Sequence, residues 1–273
     1  MTGTKDISFT KMTGTGNDFI VFDNRKAFFS GEETDFFARV CRRRVSVGAD
    51  GVLLVEEGQS APVRMRYFNS DGREAAMCGN GARCAGFFAR AKKCVDADTF
   101  LLEASDGVHL LRVNGNEVSL KMRKPEGFRS GYGILRESGF VEGGFVDTGV
   151  PHYVIFVQDV DEVAVEKVAP FYRDHRVFPQ GVNVDFVERT GEDRIRVRTY
   201  ERGVEGETLS CGTGCVASTL FAARTFGYRS PVTVVTRGGD LTVGFDDALE
   251  DVFLTGRVEI VYEGVLPMTL ETG

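Results

Sequence analysis

Two stretches of this chain repeat one another. Val63-Arg64-Met65-Arg66 leads into Phe68-Asn69-Ser70-Asp71-Gly72-Arg73-Glu74 and then Cys78-Gly79-Asn80-Gly81. Ile195-Arg196-Val197-Arg198 leads into Tyr200-Glu201-Arg202-Gly203, then Glu207 and Cys211-Gly212-Thr213-Gly214. In each copy a strand pattern with alternating Arg comes first and a Glu precedes the Cys by four positions. Small and apolar residues of a buried helix then run to about Arg90 or Arg224. The two cysteines stand 133 positions apart in 273 residues, a period far too long for a solenoid repeat. Such a chain folds as two units of like topology, with the junction near Lys124-Pro125-Glu126-Gly127. A fainter echo pairs Asn17-Asp18-Phe19 with Asn183-Val184-Asp185-Phe186.

Alternating apolar runs predict strands at Ile7–Met12, Asp18–Phe22, Gly51–Val55, Val63–Phe68, Val108–Val113, Glu117–Met122, Tyr153–Val157, Val182–Val187, Arg194–Tyr200 and Val232–Thr236. Asn114-Gly115-Asn116 has the form of a hairpin turn. Ser30-Gly31-Glu32-Glu33 has capping-box form, and the helix it opens carries Phe36, Phe37, Val40 and Cys41 on one face. The Arg42-Arg43-Arg44 run that follows reads as a solvated helix end complementing the dipole, with a phosphate patch as the sharper alternative.

Several function classes drop out. A net charge of −7 disfavours a nucleic-acid partner or a basic membrane patch. No window approaches 18 consecutive apolar residues, so no span is expected, and the amino-terminal segment enters strand alternation without an apolar signal core. A cytoplasmic protein is the expectation. Six cysteines without a C-x2-C pair, and three histidines (His109, His152, His175), argue against structural zinc.

In each C-G-[NT]-G element, Asn80 or Thr213 is a favoured N-cap type flanked by glycines. The thiol then stands just ahead of a helix whose first N–H groups lack internal partners. Those groups cradle an anion, a carboxylate included, and the same positive end lowers a thiol pKa. The helix end contributes roughly 0.3–1 kcal/mol, occasionally ~2, which is about one pKa unit, and burial opposes it. A second tuning partner is therefore needed, with His152 and Glu201 or Glu207 as candidates. Cys78 and Cys211 are either buried small residues at a repeated helix start or a pair of thiols facing one carbon. In the second case one thiolate removes an α-proton while the other thiol protonates the opposite face. Cys41, Cys84, Cys94 and Cys215 read as core residues. A non-catalytic amino-acid binding protein, a thiol–disulfide switch and an anion-nest transferase remain as rival readings.

The chain resembles the diaminopimelate epimerase family. Phe9-Thr10-Lys11-Met12, Gly16-Asn17-Asp18-Phe19, Gly48-Ala49-Asp50-Gly51, the two cysteine elements, Gly149-Val150-Pro151-His152, Gly181-Val182-Asn183-Val184 and Tyr200-Glu201-Arg202-Gly203 follow in that family's order. The resemblance implies an α+β fold of two pseudo-symmetric domains, each a curved, mostly antiparallel sheet round a central helix, with the active site in the cleft between them. One domain would take residues 1–125 plus a tail from about 262 to 273, the other 126–261. It further implies an isomerase of lysine and cell-wall precursor synthesis that interconverts LL- and meso-diaminopimelate. Cys78 and Cys211 would be the acid/base pair, with His152 and Glu201 tuning them. Asn17, Asn69, Gly79, Asn80, Asn183, Glu201, Arg202, Gly212 and Thr213 would hold the substrate. No metal or organic cofactor is implied, and the partners are a small amino-acid substrate and a second copy in a homodimer. A related two-cysteine racemase for another amino acid is the alternative. The chain departs from the family's common pattern at Thr13, Gly51, Arg73 and Val150, and Glu205 reads as one inserted residue.

Overall fold

The computed structural model describes residues 3–136 and 139–270. The chain divides into two compact units, one of Met1–Leu120 with Arg257–Gly273 and one of Lys121–Gly256. The first and last residues of the expected amino-terminal domain (1–2 and 271–273) lie outside the described residues.

In the first unit the elements are β1 (Gly3–Gly14), β2 (Asn17–Asp23), α1 (Thr34–Cys41), β3 (Gly51–Glu57), β4 (Val63–Asn69), α2 (Gly79–Ala91), β5 (Thr99–Ala104), β6 (Gly107–Asn114) and β7 (Glu117–Lys121). β1 is antiparallel to β2, β2 parallel to β3, β3 antiparallel to β4, β4 parallel to β5, and β5, β6 and β7 follow as antiparallel neighbours. The two parallel pairs need crossovers, and α1 and α2 supply them. Phe19-Ile20-Val21-Phe22 and Val52-Leu53-Leu54-Val55 are buried along their whole length because a helix covers each face of these strands. Ile20, Phe22, Val52, Leu54 and Phe68 join Phe36, Phe37 and Val40 of α1 in one core. On the opposite face, Leu53 and Phe19 approach Gly81 of α2. Since α2 packs on β1, β2, β3, β4 and β6, the sheet must curve around it.

The second unit contains β8 (Glu126–Arg136), β9 (Gly139–Asp147), β10 (Pro151–Val157), α3 (Val165–Arg173), β11 (Asn183–Arg189), β12 (Arg194–Glu201), β13 (Gly206–Thr208), α4 (Gly212–Phe226), β14 (Val232–Thr236), β15 (Gly239–Gly244) and the start of β16 (Phe253–Leu270). Its pairing repeats that of the first unit step for step: β9 antiparallel to β10, β10 parallel to β11, β11 antiparallel to β12, β12 parallel to β14, then β15 and β16 antiparallel. Tyr153, Ile155, Val184, Phe186 and Tyr200 pack with Val165, Ala169 and Tyr172 of α3. α4 lies on β9, β10, β11, β12, β14 and β15. From Arg257 onward β16 belongs to the first unit, where Val258–Leu270 pairs antiparallel with β1. The α+β class and the repeated curved sheet round a helix are as the sequence implies.

Each expected strand is present. Strands β5, β8, β9, β13, β15 and β16 carry weaker signals and are not among the expected ones; in β8, positive φ at Gly127 and Gly131 and shifts of register interrupt the alternation. The helix at Ser30 begins later than its capping box suggests: Glu33 is the N-cap, and its carboxylate reaches back to the N–H groups of Ser30 (2.9 Å) and Gly31 (2.8 Å). The arginine run needs correction too. Arg43 binds Asp18 (2.5 Å) and Asp50 (2.8 Å), so it is neither a phosphate site nor merely a solvated helix end.

Candidate active site

Each cysteine element enters its helix in the same way. Cys78 and Cys211 are themselves the N-caps, in extended conformation, and their carbonyls accept the first helical bonds from Ala82 (2.8 Å) and Cys215 (2.9 Å). Asn80 and Thr213 stand at the second helical position instead of the cap. Their short side chains are thereby freed to bind other groups. The N–H groups at the start of each helix, from Gly79 and Gly212 onward, have no partner within the helix. The repeated Glu four positions before each Cys is structural. Arg66 of β4 grips Glu74 with two bonds (2.9 and 2.7 Å), and Arg198 of β12 grips Glu207 with two (both 2.7 Å). Each clamp ties the segment ahead of the cysteine to its strand. Glu207, with Arg237 also on it at 3.1 Å, is thus committed to arginines and drops out as a tuning partner.

In the second unit the polar residues of β10, β11 and β12 gather at the start of α4. His152 and Asp185 are completely buried, with Nδ1 of the ring 2.7 Å from Asp185 Oδ2. Thr199 donates its hydroxyl to the other oxygen, Oδ1, at 2.7 Å. His152 Nε2 lies 2.9 Å from the Thr213 hydroxyl, which is 3.4 Å from Cys211 Sγ. Thr148 donates to the Thr213 carbonyl at 3.0 Å. Asn183 approaches His152 Nε2 with its amide nitrogen (3.5 Å) and accepts from the Arg202 N–H (2.8 Å). The Arg202 guanidinium donates to the Gln180 carbonyl at 2.8 Å. Glu201 accepts from Thr208 at 2.5 Å. The structure therefore brings together His152, Asn183, Glu201, Arg202, Cys211, Gly212 and Thr213. Asp185 and Thr199 were missed, although Asp185 is visible in sequence as a polar residue two positions after Asn183 on an otherwise apolar strand.

Burial pushes the Cys211 thiol well above its ordinary value, and the charges of Glu201 and Asp185 add to this. The Thr213 hydroxyl and the Gly214 N–H oppose the shift without overcoming it. The expected lowering by the helix end is thus reversed at Cys211. Burial likewise raises Glu201, against donation from Thr208. Both groups hold their protons above the usual range.

In the first unit Cys78 is half-buried. Asn80 donates to Asn17 Oδ1 (2.7 Å), and Asn17 donates to Asp50 Oδ2 (2.9 Å). The buried Arg83 donates to Asn80 Oδ1 at 2.7 Å and to the Thr15 hydroxyl at 3.1 Å. Lys11 and Arg43 hold Asp18 beside this row. Asn69, at the end of β4, is exposed and pairs in register with Gly51. Gly51 is required by packing, since a Cβ there would lie 2.4 Å from the Phe68 carbonyl. Thr13 donates to the Asn17 carbonyl at 3.0 Å. Val150 is half-buried and Arg73 exposed, while Glu205 sits in a turn at φ +56° and pairs with Arg173.

The remaining thiols are less uniform than the sequence suggests. Burial raises Cys41 and Cys84 to about 12, as suits core residues, and Cys215 is also buried. Cys94 is only partly buried, so it is not a core thiol. Among the described residues no three His, Cys, Asp or Glu side chains are grouped as a metal ion would need, and no helix is long and apolar enough to cross a membrane.

The family model for diaminopimelate epimerase matches residues 9–126 and 144–261. A diaminopimelate epimerase of Methanocella arvoryzae is 45% identical over 272 residues, covering 94% of this chain and 96% of that one. That of Aquifex aeolicus is 41% identical, covering 95% and 98%. Among solved structures, a phenazine biosynthesis protein of the PhzF family from Bacillus anthracis shares the fold at TM-score 0.71 and 17% identity, covering 96% of this chain and 99% of that one. A hydroxyproline epimerase from Agrobacterium vitis does so at TM-score 0.68 and 16% identity, covering 100% and 95%.

Proposed function

The chain belongs to the diaminopimelate epimerase family, and from that membership we infer that it is an isomerase interconverting LL-2,6-diaminopimelate and meso-diaminopimelate. We propose Cys78 and Cys211 as the acid/base pair at the reacting α-carbon. The observation that carries this reading is that both cysteines occupy the N-cap position of a buried helix, the Cys211 thiol being linked through Thr213 to a buried His–Asp pair.

Diaminopimelate offers a carboxylate and an α-proton at each end. The free N–H groups at Gly79–Asn80 and Gly212–Thr213 suit the reacting carboxylate, each helix end contributing roughly 0.3–1 kcal/mol. One thiolate takes the α-proton while the other thiol delivers a proton to the opposite face. In the reverse direction the roles exchange. Asn17, Asn69, Asn183, Glu201 and Arg202 supply donors and acceptors for the amines and the distal carboxylate. His152 and Glu201 tune Cys211. The chemistry calls for no metal or organic cofactor. A reducing compartment, the cytoplasm, keeps such thiols free.

A homodimer is part of the same reading. Val261 and Val265 of β16 are 56% and 57% exposed, and Ile260 and Tyr262 beside them are exposed as well. A run of exposed apolar residues along one strand supports an interaction site there. A Val261→Glu, Val265→Glu variant should sediment as a monomer where the parent sediments as a dimer.

Incubating the purified protein with LL-diaminopimelate, without added cofactor, should give the meso form on chiral analysis. Proline and other single-carboxylate amino acids should stay unchanged. Racemisation of proline with diaminopimelate inert would overturn the substrate and favour the related racemase.

A further inference from the structure

The duplication supplies an internal control for the residues beneath Cys211. Val52 pairs with Phe68 in the first unit and Val184 with Tyr200 in the second. Phe19 pairs with Gly51, and His152 with Asn183. Aligned on these pairs, Phe19 and Leu53 occupy the positions of His152 and Asp185. Phe19 and Leu53 face Gly81 at the start of α2, and Asp185 faces Gly214 at the start of α4. The same place in the fold thus holds two buried apolar side chains in one unit and a buried imidazole–carboxylate pair in the other. Apolar residues are the choice for stability, because burying Phe or Leu is favourable whereas taking a carboxylate out of water is costly. A polar pair kept where the fold accepts apolar residues points to function.

We propose that Asp185 is a positioning residue for the epimerase reaction, holding His152 in the Nδ1–H tautomer so that its bare Nε2 draws on the Cys211 thiol through the Thr213 hydroxyl. This rests on the assignment of Cys211 as an acid/base residue. The hydrogen bonds define one direction. Asp185 Oδ2 is a carboxylate acceptor 2.7 Å from Nδ1, so Nδ1 carries the proton. Nε2 is then an acceptor, and the Thr213 hydroxyl, 2.9 Å away, donates to it. The Thr213 oxygen in turn accepts from the Cys211 S–H. When Cys211 becomes the base, its proton passes to the Thr213 oxygen and the Thr213 proton passes to Nε2. The products are a thiolate and an imidazolium, the latter balanced by the Asp185 carboxylate. The charged and titratable groups around the ring are Asp185 from β11, Glu201 from β12 and Cys211 from α4, with Asn183, Thr199 and Thr213 as neutral neighbours. Because Phe19 and Leu53 fill the equivalent places, the relay serves Cys211 and has no counterpart at Cys78.

Asp185→Asn separates positioning from packing, because it keeps the size of the side chain. Thr199 donates to Oδ1, and the α4 N-terminus beside that atom favours an oxygen over an NH2 group. The amide nitrogen therefore faces His152 Nδ1, donates to it, and drives the ring proton to Nε2. In nitrogen-15 spectra of histidine-labelled protein, with the His152 signal assigned by its loss in His152→Gln, the parent should carry its proton on Nδ1. Asp185→Asn should carry it on Nε2. Alkylation of Cys211 by iodoacetamide, read by peptide mass across pH 6–9, should slow at least about tenfold in Asp185→Asn. Alkylation of Cys78 should be unaltered. A parent protein with its proton on Nε2 overturns the proposal whether or not the variant folds. So does a folded variant whose Cys211 alkylation is unchanged. Absence of diaminopimelate turnover in a parent with the Nδ1–H tautomer would remove the proposed function and leave the tautomer assignment standing.

Discussion

Replacing Thr213 by Val keeps the shape of the side chain and removes one oxygen from between His152 and Cys211. His152 Nε2 then loses its donor at 2.9 Å and keeps only the Asn183 amide at 3.5 Å. A buried acceptor left with only one long contact costs up to about 1–3 kcal/mol. With a urea slope of roughly 2 kcal/mol/M, a loss of about 2 kcal/mol moves the midpoint down by about 1 M. The catalytic effect is larger. Positioned proton transfer contributes about 10²–10⁴-fold, and the variant should lose a factor within that range from kcat. Thr213→Ser retains the hydroxyl and should recover most of it. Steady-state epimerisation by coupled chiral analysis, beside urea unfolding of the same samples, measures both effects. Near-normal kcat in Thr213→Val refutes the relay, and so does a Ser variant as slow as the Val variant.

Cys78→Ala and Cys211→Ala should each abolish epimerisation while leaving the unfolding midpoint nearly unchanged, as chiral analysis and urea titration would show; a single variant with substantial turnover contradicts the pair. Gly214→Ala places a Cβ 2.4 Å from Asp185 Oδ1 and 3.0 Å from the Thr199 hydroxyl, so it should destabilise by about 1–3 kcal/mol in spite of alanine's better helix propensity. An unfolding midpoint equal to or above the parent's counts against that packing. At Asp18 burial acts to raise the pKa, but Arg43 and Lys11 outweigh it and lower it to about 2. The unfolded chain protonates the same group near pH 3.9, so the stability Asp18 contributes, about 2 kcal/mol, is complete above about pH 4 and is lost as pH falls toward 2. Arg43→Gln should therefore unfold at higher pH in an acid titration followed by circular dichroism; coincident curves would show that the ion pair contributes nothing.

The duplication, the strands with clean alternation and the two cysteine helices were legible from residue order because each rests on local periodicity. The row Asn17–Asn80–Arg83 and the pair His152–Asp185 were not, because they join side chains 63 and 33 positions apart through sheet register. Register converts His152 and Asn183 into neighbours and places Asp185, two residues on, under the same helix. The capping assignments erred by two positions for a related reason. Asn80 and Thr213 are good cap types, yet their oxygens are used in the side-chain network, and the cysteines take the cap. The sign of the thiol shift also depends on burial, which no local pattern carries. A helix end acts over one turn, whereas Glu201 and Asp185 arrive from other strands.

The most direct test of two thiols on opposite faces of one carbon is a single turnover in deuterium oxide with unlabelled LL-diaminopimelate. Quenched early, the reaction should yield meso product carrying one solvent deuterium at the inverted centre, while recovered substrate keeps its protium. Product that retains the original hydrogen, or equal labelling of substrate and product from the start, would mean that one base serves both faces.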